Sequence, residues 1–257
     1  MNVEIKQSGK FHYIEEGEGR ILLLLHGLFG ALSNYKDVFN AFCKDYKVVI
    51  PLLPIYELPL KQANLEGLVK HVTDFVNYMG YDKVNVLGNS LGGHIAILYA
   101  LENKEKITSM ILTGSSGLYE NSLGATFPKR GNYEFIKTKT EYTFYDPKTA
   151  TKELVEEVFE IVNNRNKAIR VIKTAKSAIR NNVGSRLHEL DCPVLLIWGK
   201  NDNITPPFVG EDFKNKLPRA ELYLIDKCGH APMMERPEIF NKILKEFLDK
   251  VYQTTAT

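Results

Sequence analysis

Val84–Ala100 reads VNVLGNSLGGHIAILYA, a lone serine among glycines where an apolar strand meets an apolar helix. Val84, Val86 and Leu87 have the pattern of a short buried strand. Ile95, Leu98 and Tyr99 recur at i, i+3 and i+4, which is helical spacing. Between them lies Gly88-Asn89-Ser90-Leu91-Gly92-Gly93. A chain that turns from strand to helix without a linker makes a sharp corner, and such corners need residues without a Cβ.

Working outward, short apolar runs recur on both sides of this corner with helical patterns between them. Val3–Lys6 and Phe11–Glu15, separated by QSGK, predict an N-terminal hairpin. Ile21–Leu25, Val48–Ile50, Val84–Leu87, Met110–Thr113, Val194–Trp198 and Leu222–Ile225 complete the predicted strands. The later runs are almost continuously apolar, as in a parallel sheet covered on both faces. Leu65, Leu68, Val69, Val72, Phe75, Val76 and Met79 share a helical face, with Asn64 as N-cap and Gly80 as the stop. Near the C-terminus Pro237 opens a helix whose apolar face holds Ile239, Phe240, Ile243, Leu244, Phe247, Leu248 and Val251. The alternation predicts an α/β fold, a mostly parallel, doubly wound, eight-stranded sheet.

The alternation breaks from Gly117 to Leu190, where no strand pattern is present. DPKTATKELVEEVFEIV predicts a helix with Asp146 as N-cap and Pro147 at N1. NKAIRVIKTAKSAIRNNVG predicts a second, ending near Gly184, with Ala168, Ile169, Ile172, Ala175 and Ile179 on one face. An aromatic segment precedes both, with Phe127, Tyr133, Phe135, Tyr142, Phe144 and Tyr145. The expected organisation is a core of residues 1–116 and 191–257 with a helical insertion over 117–190. Insertions at the C-terminal edge of such a sheet sit over its ligand crevice, so this one is expected to form a lid. Half of its aromatics are expected to touch ligand and half to form its own small core.

Composition excludes several classes. The chain has 257 residues, 44% hydrophobic and 25% charged, enough for a substantial core. A net charge of +2 with no basic run gives no electrostatic footprint for nucleic acid. Ile21–Leu25, the longest purely aliphatic run, is far too short to span a bilayer. The N-terminus has no apolar signal region, and Cys43, Cys192 and Cys228 are odd in number, so a reduced cytoplasmic protein is expected. There is no H-E-x-x-H, C-x-x-C, Walker A run or G-x-G-x-x-G opening a helix. No metal and no cofactor are expected, and the sequence says nothing about oligomeric state.

Gly88-x-Ser90-x-Gly92 at a strand–helix junction is the nucleophile-elbow pattern. The turn lifts the serine above the sheet edge, and the helix N-terminus behind it favours developing negative charge. Serine is a weak nucleophile near neutrality and needs a histidine base oriented by an acid. Asp202 lies in GKNDNITPP after the strand Val194–Trp198. His230 lies in DKCGHAPMMERPE after the strand Leu222–Ile225. All three therefore sit at the carboxyl edge of one parallel sheet, in the chain order Ser, Asp, His.

With HGLFG at His26–Gly30, GNSLGG at Gly88–Gly93, GKNDNITP at Gly199–Pro206 and CGHAPMMERPE at Cys228–Glu238, the chain resembles the α/β-hydrolase family over nearly its whole length. The resemblance implies a serine hydrolase with Ser90, Asp202 and His230 as the triad. It implies an oxyanion hole from the backbone N–H groups of Leu91 and Leu28, with Phe29 the alternative to Leu28, and His26 and Gly27 supporting that loop. It implies no cofactor and a small-molecule substrate, a carboxylic ester or related acyl compound. Serine at the elbow separates the chain from dehalogenases and epoxide hydrolases, which need a carboxylate there. GNSLGG with a helical lid also resembles carbon–carbon bond hydrolases of meta-cleavage products, many of which carry a tryptophan after the histidine, where this chain has Ala231. Lyases of the same fold and a hydrolase-like ligand-binding protein are further readings. After the fourth strand the family often has an Asp–glycine turn, whereas this chain has PLLPIYELPL, so no relative's substrate transfers directly.

Other residues have plainer readings. His94, on the elbow helix, reads as a packing or hydrogen-bonded residue, and His12, His71 and His188 read as surface residues. Asn89 packs beside the elbow and Cys228 is a filler. Glu235 is expected to open the last helix or pair with Arg236.

Overall fold

Strand β3 (Ile21–Leu25) shows why the apolar runs are continuous. Leu22 and Leu24 pack on one face of the sheet with Phe39, Phe240 and Leu244. Leu23 and Leu25 pack on the other with Phe75, Ile95 and Phe213. A strand buried on both sides has no solvent face to mark with polar residues. The computed structural model describes residues 4–30, 32–119 and 130–254, so Phe127 lies outside the described residues.

The remaining strands are β1 (Lys6–Ser8), β2 (Phe11–Glu16), β4 (Lys47–Pro51), β5 (Val84–Asn89), β6 (Ile107–Thr113), β7 (Val194–Gly199) and β8 (Ala220–Ile225). They form one 8-stranded sheet in the order β1-β2-β4-β3-β5-β6-β7-β8. The β1–β2 and β2–β4 pairs are antiparallel, and from β4 to β8 every pair is parallel. Helices α1 (Lys36–Phe42) and α9 (Pro237–Thr254) cover one face. Helices α2 (Leu65–Tyr78), α3 (Leu91–Glu102) and α7 (Pro207–Lys216) cover the other. Asn64 caps α2, its side chain accepting from the Gly67 N–H, and Gly80 follows with φ +68°. From Leu91 to Leu101 only Leu98 of α3 escapes full burial, the pattern of a helix enclosed on all sides.

The hairpin is displaced from its expected place. Strand β1 begins at Lys6, and Gln7 and Ser8 belong to it rather than to the turn. Gly9, at φ +56°, makes the tight reversal with Lys10, so only two residues are spent on it.

Among the described residues between β6 and β7 the regular elements are helical, with α4 (Tyr133–Glu141), α5 (Lys152–Asn163) and α6 (Arg165–Arg180). Asp146 caps only a single 3-10 turn, Pro147–Thr149, while α5 has its own N-cap in Thr151. Helix α4 is capped by Asn132, whose side chain accepts from the Phe135 N–H. The inward face of α6 is Val171, Thr174, Ala175 and Ala178, and Ile179 is 52% exposed. The expected face is thus rotated. Ser177 seats α6 on α2 by accepting from the Leu65 N–H at 3.1 Å, which turns the small-residue stripe inward.

Candidate active site

Strands β5, β7 and β8 run parallel, so the loops that leave them emerge at the same edge of the sheet. Ser90 follows β5 directly, with φ 55° and ψ −121°. A side chain in that region costs roughly 1–3 kcal/mol and persists only where the surroundings impose it. Here the Ser90 N–H donates to the Thr113 carbonyl at 3.1 Å, and the Ser90 carbonyl accepts from Gly93, His94 and Ser116 amides at 3.0, 3.3 and 3.2 Å. Gly92 is required by contact, since a Cβ there would stand 2.0 Å from the Leu25 carbonyl oxygen.

Asp202 and His230 form a buried pair. The His230 Nδ1–H donates to Asp202 Oδ2 at 2.9 Å. The Ile204 and Thr205 amides donate to Oδ1 at 2.8 and 2.9 Å, and the Thr205 hydroxyl donates to Oδ2 at 2.9 Å. Four donors hold the carboxylate, so its orientation toward the ring is fixed. With Nδ1 committed to Asp202, Nε2 is the nitrogen left to act as a base.

The histidine reaches the serine by crossing the ends of two intervening strands. The Asn89 amide donates to the His230 carbonyl at 3.1 Å and to the Thr113 carbonyl at 3.0 Å, tying the histidine loop to the elbow. Gly114, at φ +50°, ends β6 directly beneath; a Cβ there would lie 2.8 Å from His230 Nδ1. Ser90 and His230 line one cavity, without a hydrogen bond between the Ser90 hydroxyl and the ring. In unliganded sites such bonds are often long and close only around substrate.

The turn Gly27–Gly30 flanks the serine, closed by the Gly30 N–H donating to the Gly27 carbonyl at 3.0 Å. Gly27 backs onto the serine, with space for a Cβ only 3.3 Å from Ser90 Cβ. Leu28 and Leu91 both line the cavity. The Leu91 amide is the first of α3 and so has no partner within the helix. His26 fixes the turn. Its Nδ1–H donates to the Gly27 carbonyl at 2.9 Å, and Nε2 accepts from the Leu53 amide at 3.2 Å. That pattern requires the neutral ring, and burial lowers its pKa accordingly.

The cavity holds about 400 Å³. Beyond the polar floor its walls are Ile136, Phe144, Leu154, Val158, Val162 and Met234. Phe135, Tyr142 and Phe144 of the aromatic segment face it, while Tyr133 packs edge-on against Phe159 at 5.3 Å and Tyr145 is exposed. A larger concavity, about 1390 Å³, lies at the opposite edge among Arg20, Lys83, Lys104, Asp191 and Arg219, away from all of these groups.

Two site residues escaped the sequence reading. Thr205 is signalled only by its place three residues after Asp202. Glu235, in helix α8 (Pro232–Glu235), accepts from the Gly229 amide at 2.8 Å and from the Tyr145 and Asp146 amides at 2.8 and 3.4 Å. The His230 amide donates to the Thr143 carbonyl at 2.9 Å. Glu235 therefore joins the histidine loop to the segment after α4, rather than pairing with Arg236. Burial raises its pKa against the pull of those amides.

The remaining candidates are structural. Burial holds the Cys228 thiol well above its usual pKa, so it is a poor nucleophile. His94 donates from Nε2 to the Asn181 carbonyl at 2.8 Å, and burial lowers its pKa to about 4. His71 corrects its expected surface position. It is half-buried, edge-on to Phe11 at 5.2 Å, with its pKa lowered to about 4 mainly by burial. His12 and His188 are exposed.

Residues 22–243 match the family described as "Alpha/beta hydrolase family", and the chain belongs to that family. It is 44% identical to MGS-MChE2, an alpha/beta hydrolase enzyme from the metagenome of sediments of the lagoon of Mar Chica, Morocco. That structure superimposes with a TM-score of 0.80, over 96% of this chain and 98% of the other. It is 27% identical to a 2-hydroxy-6-oxononadienedioate/2-hydroxy-6-oxononatrienedioate hydrolase of Comamonas testosteroni, over 93% of this chain and 91% of that one. It is 26% identical to a 2-hydroxy-6-oxo-6-phenylhexa-2,4-dienoate hydrolase of the same species, over 92% and 90%. The protein is an enzyme of the hydrolase class. Among the described residues no helix is long and apolar enough to cross a membrane.

Proposed function

We propose that the protein hydrolyses small carboxylic esters through Ser90, His230 and Asp202. The observation that carries this reading is the buried 2.9 Å His230–Asp202 pair opening on the same cavity as the positive-φ corner that presents Ser90. Ser90 Oγ attacks the substrate carbonyl carbon while His230 Nε2 takes its proton. Asp202 holds the ring and stabilises its charged form. The Leu28 and Leu91 amides receive the oxyanion, each donor worth about 3 kcal/mol. The imidazolium then protonates the leaving alcohol, and a water activated by the same ring releases the acid. Helices α4–α6 act as the lid, supplying the apolar wall for the acyl or alcohol group.

A carbon–carbon bond hydrolase is the second reading, favoured by the dienoate hydrolases among the relatives. Their named substrates carry carboxylates, which resist burial without a cation. Among the described residues lining this cavity, the only permanent cation is the exposed Lys139. The wall thus suits an uncharged ester better. Three free cysteines and a sequence of net charge +2 without a basic run support a cytoplasmic enzyme acting on a small molecule rather than on nucleic acid.

Purified protein is assayed with p-nitrophenyl esters of increasing chain length, a dienoate substrate and a fluorophosphonate probe. Ester turnover and probe labelling that both vanish in Ser90→Ala are expected. Equal turnover in Ser90→Ala removes the serine mechanism, and faster consumption of the dienoate selects the second reading. Tight ligand binding with no acylation would mark a binding protein instead.

A further inference from the structure

The departure PLLPIYELPL has a use that the triad does not explain. It follows β4 and touches the oxyanion turn twice. The Leu53 amide donates to His26 Nε2 at 3.2 Å, and the Tyr56 hydroxyl donates to the Leu28 carbonyl at 2.8 Å. In a trans peptide the carbonyl and the N–H point opposite ways. Pinning a carbonyl on one side of the turn therefore aims the N–H of the same peptide to the other side. The Gly27 carbonyl is pinned by the His26 Nδ1–H and by the Gly30 amide, which orients the Leu28 N–H. The Leu28 carbonyl is pinned by Tyr56, which orients the Phe29 N–H. Leu28 and Phe29 both line the cavity.

The loop is held in turn by α6. Arg170 Nε donates to the Leu58 carbonyl at 2.7 Å, and Lys167 Nζ stands 5.6 Å from the centroid of the Tyr56 ring. Arg170 is itself braced by a bond from its guanidinium to the Asn166 carbonyl at 3.0 Å. A continuous path thus runs from α6 through Leu58 and Tyr56 to the oxyanion turn.

We propose that Tyr56 is a positioning residue for the oxyanion hole: its hydroxyl locks the Leu28–Phe29 peptide, which carries the N–H of Phe29, the alternative donor to Leu28, and directly follows the peptide that carries the Leu28 N–H; helix α6 clamps the loop that carries Tyr56. This rests on the oxyanion role given to that turn under the proposed function. The hydroxyl touches no substrate; it acts by keeping the turn from rotating when charge develops on the substrate oxygen.

The test is Tyr56→Phe, which removes one oxygen and leaves the ring. The expected result is a roughly tenfold loss of kcat on a p-nitrophenyl ester with KM within about twofold, a fraction of the loss of a whole oxyanion donor. Affinity for a trifluoromethyl ketone, whose hemiketal oxygen occupies the same hole, is expected to fall by a similar factor. Fluorophosphonate labelling of the wild type, absent in Ser90→Ala, checks the underlying function separately. If the wild type neither labels nor turns over, that function falls and this proposal with it. If the wild type is active, unchanged kcat and ketone affinity in Tyr56→Phe overturn the positioning role alone, as does a loss carried only by KM. Should Tyr56→Phe fail to fold, Arg170→Gln decides. A parallel loss in kcat and ketone affinity supports the clamp, and unchanged values overturn it.

Discussion

At the scale of single residues, the site depends on how completely Asp202 is satisfied. Its four donors leave the carboxylate one orientation, and that orientation decides which His230 nitrogen carries the proton. Asp202→Asn presents an amide that can donate to Nδ1 and so favours the wrong tautomer. It is expected to lower ester kcat by roughly 10⁴ while leaving the fold intact by circular dichroism. Ser90, Asp202 and His230 could be picked out as candidates because each sits in a short turn-rich stretch directly after an apolar run. Thr205 and Tyr56 could not, because a hydroxyl that serves a distant carboxylate or carbonyl leaves no periodic trace. The same holds for Gly114, whose need is set by a histidine more than a hundred positions away.

At the scale of elements, the strands and the long helices were readable from period and caps, as Asn64 before α2 illustrates. The helices between β6 and β7 were less so. Helix α4 is short, with Ile136 and Thr140 as its buried residues, too few to print a stripe. The inward face of α6 is small and partly polar, with Ala175 and Ala178 on the cavity wall, so the apolar residues misstate its direction. Glu235 links this region to the histidine loop. Glu235→Ala leaves the Gly229 and Tyr145 amides without their acceptor. It is expected to reduce the urea unfolding free energy by about 2 kcal/mol and to lower kcat several-fold as the loop loosens. Unchanged unfolding and unchanged kcat would show that solvent replaces the carboxylate.

At the scale of the whole molecule, the buried His26 and His94 and the half-buried His71 shape the response to acid. His26, His71 and His94 have pKa values lowered by burial, the latter two to about 4. Unfolded, each titrates near its ordinary value of 6.5. Between those limits the unfolded chain binds more protons, so stability is full above pH 6.5 and falls as pH drops toward 4. For the fully buried His94 the difference is worth about 3 kcal/mol. Urea midpoints measured from pH 7.5 to 4.5 are expected to decline, and His94→Gln, which keeps a donor for Asn181, is expected to flatten that decline. A His94→Gln profile as steep as that of the wild type would assign the acid sensitivity elsewhere.

The bond from Asn89 to the His230 carbonyl spans 141 positions. On the proposed triad, the alcohol and the acid leave the ribosome before their base does, and the base is useful only after β8 has docked. Catalytic competence would then be the last property the polypeptide acquires, and a molecule interrupted short of β8 would be chemically silent however much of its sheet has formed.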